Sequence, residues 1–191
     1  MARTLIVYGT TEGQTARIAD RMAAVIRDEG QEVELHDAKE VRKQAVTGEF
    51  DGTIVAGSVH VGDYQSSLRE FVKRKRDLLE RVPSAFVSVS LTAADPDADV
   101  AAELQVTLDK FIRKTGWRPR HVEHVAGALA YTHYNLLIRY IMKRIAKQQG
   151  RTELDTSRDY EFTDWDAVER FAREFASSIS SEIRPEVRAA A

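Results

Sequence analysis

With 191 residues, 43% of them hydrophobic and 30% charged, the chain has the size and composition of one soluble globular domain with its own core. It contains no cysteine, which excludes disulfides, thiolate metal sites, iron–sulfur clusters and a cysteine nucleophile, so any redox chemistry needs a bound cofactor. The formal net charge of −2 points to neither nucleic acid nor an acidic partner.

Residues 3–8, RTLIVY, read as a strand buried on both faces. No basic-then-apolar leader precedes them, and no stretch approaches the roughly 18 apolar residues that span a bilayer, so a cytoplasmic location is expected. A helix over 15–29 follows, with Ile18, Met22, Val25 and Ile26 on one face and Gly30 as its stop. Val33 and Leu35, alternating with Glu32 and Glu34, predict a second strand, and GTIVAG at 52–57 a third. The next helix turns Leu68, Phe71, Val72 and Leu79 inward; SAFVSVSL, 84–91, predicts strand four, and the helix after it carries Leu104, Leu108, Phe111 and Ile112. VAGALAY, 125–131, predicts strand five. The last helix starts at TDWD, with Thr163 as N-cap and Asp166 three residues on, and bears Val168, Phe171, Ala172 and Phe175.

Five strands too apolar to be half exposed, alternating with amphipathic helices, predict an α/β domain with a doubly wound parallel sheet covered on both faces. The expected domain spans 1–181, with a disordered tail at 182–191. Ligands of such sheets bind beyond the carboxyl ends of the strands, which directs attention to residues 9–15, 57–65 and 89–96.

The first of these loops, YGTTEGQT, aims helix N-terminal amides and the positive end of a helix dipole at one spot. Thr10, Thr11 and Thr15 add hydroxyls, and Gly9 and Gly13 allow close approach or positive φ. Neither Gly-Lys-Ser/Thr nor GxGxxG is present, which leaves a mononucleotide monophosphate as the ligand class, or a plain turn with a capped helix. In the second loop, Gly57 and Gly62 permit a tight backbone, Ser58 offers a polar edge, and His60 and Tyr64 are candidates to cover an aromatic ring, unless His60 is a solvated loop residue and Tyr64 a packing one. The third loop supplies Ser90, Thr92 and Ala93, or is only a turn. His121 and His124 fall on opposite faces of a strand and no HExxH pair exists, so no metal site is expected; AGSVHVG is not the GxSxG elbow of a serine hydrolase.

Between Glu123 and Glu153 there is no acidic residue, whereas Arg139, Lys143, Arg144, Lys147 and Arg151 all fall there, on a body that is acidic elsewhere. This insertion, about 132–158, places Tyr134, Leu137, Ile138, Ile141 and Ile145 on one helical face with cations on its flanks. Two readings stay open: a helix packed on its own domain with a solvated basic side, or a segment meeting lipid headgroups or a lipid-like carboxylate substrate.

TTEGQT resembles the flavodoxin phosphate loop, with Glu12 a departure whose carboxylate is expected to turn to solvent. The wider set of LIVYGTTEGQT, GSVHVGDYQSSLREFV, PSAFVSVSL, WRP, AGALAYTHYN, RYIMKRI and TDW resembles the flavodoxin-like menaquinone-dependent protoporphyrinogen oxidases over about residues 3–180. That resemblance implies FMN as cofactor, oxidation of protoporphyrinogen IX to protoporphyrin IX in haem synthesis, transfer of electrons to a membrane quinone, and a peripheral position on the inner face of the cell membrane. It implies an FMN site of Thr10, Thr11, Glu12, Gly13, Gln14, Thr15, Ser58, Val59, His60, Gly62, Tyr64, Ser90, Leu91, Thr92 and Ala93. Substrate or membrane contact falls to Tyr134, Arg139, Lys143, Arg144 and Lys147. No general base is expected, because the cofactor carries the chemistry. The oligomeric state is left open, and the rival readings are an electron-carrier flavodoxin and an FMN-dependent quinone reductase.

Overall fold

A computed structural model describes residues 1–41, 46–94, 98–129 and 160–183. Strands β1 (Arg3–Gly9), β2 (Glu32–Asp37), β3 (Gly52–Ser58), β4 (Ser84–Ser90) and β5 (His121–Ala126) form one five-stranded sheet in the order β2-β1-β3-β4-β5, every pairing parallel. This is the flavodoxin-like doubly wound order, with its switch point between β1 and β3.

The helices are α1 (Gln14–Asp28), α2 (Ala38–Val41), α3 (Ser66–Arg74), α4 (Arg76–Arg81), α5 (Ala98–Thr115) and α6 (Trp165–Ile183). Successive residues of each central strand go to opposite faces, as the period of two demands. Ile6, Ile54 and Val87 join Ile18, Met22 and Ile26 of α1 and Phe171, Phe175 and Ile179 of α6 on one face. Leu5, Val7, Val55 and Phe86 join Leu68 and Phe71 of α3, Leu108 and Phe111 of α5, and Trp117 on the other. Two cores therefore clamp the sheet, which is why β1, β3 and β4 read as unbroken apolar runs.

Four local expectations are corrected. The fifth strand is 121–126 rather than 125–131: residues 121–126 pair with β4, and after Gly127 the chain leaves the sheet to form a separate antiparallel pair, β6 (Ala128–Leu129) with β7 (Tyr160–Glu161). Half of β5 is polar because it is an edge strand, so the apolar stretch just beyond it was the louder signal. The helix expected across Leu68–Leu79 is broken at Lys75 into α3 and α4. Thr163 does not cap α6; Asp164 does, its Oδ1 accepting the Ala167 N–H at 3.0 Å, while the Thr163 hydroxyl donates to the Ala126 carbonyl at 2.8 Å. Finally, α6 runs to Ile183, two residues past the expected end of the domain.

Gly9 and Gly57, paired across β1 and β3, owe their identity to α3. A Cβ at Gly57 would stand 2.6 Å from Leu68 Cδ2 and 2.9 Å from Tyr64 Cδ1; one at Gly9 would stand 3.2 Å from Leu68 Cβ. Both neighbours at Gly57 are buried and have little room to move. Gly57→Ala is expected to lower stability by about 1–3 kcal/mol, read as a shift in the urea midpoint at unchanged slope.

Candidate functional site

Because β1, β3 and β4 are adjacent, their carboxyl ends bring the three loops 10–13, 58–65 and 90–94 to one edge of the sheet. The Thr10 Oγ1 accepts the Gly13 N–H at 2.9 Å, curling the first loop and leaving the Thr10 hydroxyl hydrogen to donate outward. Gly13 occupies the N-cap of α1 at φ 90°, a left-handed conformation that favours glycine, and no side chain caps the helix. The first-turn amides of α1 thus face an anion position without a protein acceptor. Thr15 stands in the same turn, 1% exposed, and its hydroxyl has no hydrogen-bond partner. A buried hydroxyl left unpaired is costly, and a phosphate at this helix end would satisfy it together with the amides. The donor set of hydroxyls and amides, with no cation, therefore fits a terminal phosphate.

Thr11 and Glu12 are exposed. Gln14 is buried but reaches away from the loop: its amide donates to Glu161 Oε1 at 3.1 Å and to Thr163 Oγ1 at 2.9 Å, and its carbonyl accepts from Arg17 at 2.9 Å. Only its backbone is left for a ligand. Arg17 and Trp165 also bond to Glu161; desolvation pushes that carboxyl up, but the bonds from Gln14, Arg17 and Trp165 together hold it below its usual range. This network joins the first turn of α1 to β7, the strand that closes the segment expected as the basic insertion.

In the second loop, Ser58 Oγ accepts from Gln65 Nε2 at 2.6 Å, and Gln65 also donates to Thr11 Oγ1 at 3.0 Å. Gln65, which the sequence did not single out, thereby ties the first loop to the second. Its carbonyl oxygen is buried without a partner. Val59 lies against the α3/α5 core and its N–H donates to the Val89 carbonyl at 2.8 Å. His60 is exposed, and Gly62 sits at φ 67° in a tight turn.

Tyr64 is the one site candidate that the structure reassigns. It is 3% exposed, with its ring edge-on to Phe86 and Phe111 and its hydroxyl 2.8 Å from Ser88 Oγ, so no face is left for a cofactor ring. Burial pushes its phenol up to about 12, against the Ser88 hydrogen bond. In the third loop, Ser90 Oγ accepts the Ala93 N–H at 3.1 Å and lies 3.1 Å from Thr92 Oγ1, while Leu91, Thr92 and Ala93 are half-buried around a short 3₁₀ turn. Tyr134, Arg139, Lys143, Arg144 and Lys147 lie outside the described residues.

Asp63 is the most heavily bonded carboxylate at this edge. Arg69, Lys110, Lys114 and the Tyr64 N–H all bond to it. Partial burial pushes the carboxyl up, but Lys114, the Tyr64 amide, Arg69 and Lys110 together hold it at about 2, below the ordinary 3.8. A folded value below the unfolded one means stability that is full above about pH 4 and lost as pH falls from about 4 to about 2. Urea midpoints at about pH 5 and about pH 2.5 should therefore differ less in Asp63→Asn than in the wild type; an equal drop would mean these bonds leave stability untouched.

Residues 5–156 match the flavodoxin domain family, and the chain belongs to it. It is 33% identical over 174 residues to protoporphyrinogen IX dehydrogenase (quinone) of Escherichia coli (strain K12), covering 91% of this chain and 94% of that protein. To the Leishmania major protein of the same name it is 34% identical over 176 residues, covering 92% and 75%. Within the flavodoxin fold the chain is thus a member of the protoporphyrinogen IX dehydrogenase (quinone) family, flavin-dependent oxidoreductases. Among solved structures, a flavodoxin of Pseudomonas aeruginosa matches at TM-score 0.53 and 12% identity, over 93% of this chain and 99% of that one. The rubredoxin oxygen:oxidoreductase of Desulfovibrio gigas matches at 0.56 and 13% over 95% of this chain, which spans 37% of its length. Both likenesses concern the fold. No helix among the described residues is long and apolar enough to cross a membrane.

Proposed function

We propose that the protein binds FMN and oxidises protoporphyrinogen IX to protoporphyrin IX in haem biosynthesis, delivering the electrons to a membrane quinone. The observation that carries the cofactor reading is the Thr15 hydroxyl, buried and unpartnered beside the uncapped amides of α1. The identity to the two dehydrogenases over more than nine-tenths of this chain supports the reaction.

Thr10, Thr15 and the amides of Gln14 and Thr15 hold the FMN phosphate around the Gly13 turn, with Thr11 and Glu12 at the outer rim. Ser58, Val59, His60 and Gly62 border the ring on one side and Ser90, Leu91, Thr92 and Ala93 on another, chiefly through their backbone groups. Bound FMN supplies a two-electron acceptor, so three rounds of hydride removal convert one porphyrinogen. The protein's share is to orient the macrocycle and exclude water, which calls for no general base. Arg139, Lys143, Arg144 and Lys147, with Tyr134, are assigned to the substrate carboxylates and to anionic lipid at the inner face of the cell membrane.

Anaerobic incubation of the FMN-loaded protein with protoporphyrinogen IX and a quinone analogue should raise porphyrin fluorescence through many turnovers. Without the quinone each FMN takes up only one of the three electron pairs, so flavin bleaching with little porphyrin is expected. Deletion of residues 133–151 should abolish turnover and binding to anionic vesicles. A loaded protein that forms no porphyrin, or a deletion that turns over as before, would refute the assignment and favour an electron shuttle.

A further inference from the structure

The turn at 60–63 contains the one non-glycine residue at positive φ among the described residues, Val61 at 51°. His60 and Asp63 exchange two backbone hydrogen bonds, His60 N–H to Asp63 O at 2.8 Å and Asp63 N–H to His60 O at 3.2 Å. With Gly62 at φ 67°, both central residues have the positive φ of a type I′ turn. That turn suits Asn-Gly or Gly-Gly; a β-branched residue in it is strained. Val61 is 87% exposed, so no packing of its side chain compensates. Strain of this kind persists only where the surroundings over-determine the backbone.

Asp63 supplies that constraint. One carboxylate oxygen accepts from the Tyr64 N–H at 2.9 Å and from Arg69 of α3 at 3.0 Å. The other meets Lys114 and, at 3.3 Å, Lys110, both on α5. Lys110 also donates to the Gly62 carbonyl at 3.0 Å, and Arg69 to the Tyr64 carbonyl. Three cations from two helices thus converge on one carboxylate and on two carbonyls of the same short loop. Joining α3 to α5 does not require this hub, because Leu68, Phe71, Leu108 and Phe111 already pack in one buried cluster. Its distinctive effect is on the turn.

We propose that Asp63 is a positioning residue: through Arg69, Lys110 and Lys114 it clamps the 60–63 turn in its strained form, and the clamped turn is the shape that receives the flavin ring. This rests on the reading above that the loop borders FMN. The carboxylate touches no ring atom in this proposal. It acts by sparing the bound state the cost of ordering the loop, so its loss appears as weaker cofactor binding.

The test is a cycle of Asp63→Asn, Val61→Asn and the double variant, each as the full chain. Val61→Asn creates the Asn-Gly pair that forms a type I′ turn unaided. D63N is expected to weaken FMN binding about tenfold, within the range that one strained residue represents. V61N alone should bind FMN at least as tightly as the wild type, and V61N in the D63N background should recover most of the loss, although no charge has been restored. Hydrogen exchange of the His60 amide in cofactor-free protein provides a second readout: faster in D63N, slowed again in the double variant. Wild-type affinity in D63N, or a double variant as weak as D63N, would overturn the clamp. A wild-type protein that takes up no FMN while the exchange pattern holds would instead overturn the cofactor reading and leave the clamp standing.

Discussion

Replacing Thr10 with alanine and Thr15 with valine should cost the protein about 10² to 10⁴ in FMN affinity. A hydrogen bond from a hydroxyl to a charged phosphate is worth about 1.5–3 kcal/mol, and the proposed cofactor site assigns one such bond to each of the two hydroxyls. The single variants separate binding from folding. Thr15 is buried and its hydroxyl has no partner, so valine removes an unsatisfied group and the cofactor-free protein should be as stable as the wild type or more so. Thr10 accepts the Gly13 N–H, so alanine there should loosen the loop as well as remove a donor. Titration of the flavin absorbance or fluorescence measures the affinity, and thermal unfolding without cofactor measures the stability. A double variant that binds FMN like the wild type would reduce the loop to a turn that caps a helix.

Phe86→Ala should lower stability by about 3–5 kcal/mol, the largest loss expected of a single side chain here. Phe86 is fully buried on β4, the fourth position of the five-stranded sheet. Its ring stacks on Phe111 at 4.6 Å and meets Tyr64 and Trp117 edge-on at 5.0 and 6.1 Å. Truncation opens a cavity whose walls are the sheet on one side and two anchored helices on the other, so collapse is limited. For a domain of this size the midpoint of thermal unfolding should fall on the order of 10 °C. Tyr64 belongs to the second loop, so the loss should extend to FMN affinity, which the Thr10 and Thr15 variants reach by a different route. A drop below about 1 kcal/mol would mean that the cluster repacks freely.

Much of this architecture was legible in local pattern. Apolar runs at 3–8, 52–57 and 84–90 mark strands buried on both faces, and periods of three and four mark the helices that cover them. The strand–loop–helix junction at 9–15 was legible for a related reason, since the threonines and glycines that shape it lie within seven consecutive residues. Other features depended on contacts that no local window contains. Thr163 looked like a cap until the Ala126 carbonyl, 37 residues away, proved to be its acceptor. Tyr64 looked available to a cofactor until β4 and α5 enclosed it. Gln65 and Glu161 carried no local signal, because each matters only through partners on other elements, Thr11 and Ser58 for the first, Gln14 and Arg17 for the second.

By itself, then, the order of residues determined the alternation of strand and helix, the parallel sheet and the position of the glycine- and threonine-rich loop between β1 and α1, because each follows from periodicity, glycine placement and helix-end chemistry over a few neighbouring residues. The tertiary structure alone decided which glycines serve packing rather than a ligand, which aromatic ring is core, where β5 ends, and how Asp63 gathers three cations around a strained turn. Those outcomes depend on groups far apart in the chain meeting at hydrogen-bond or van der Waals distance, and only the closed sheet with both its helical layers brings them together.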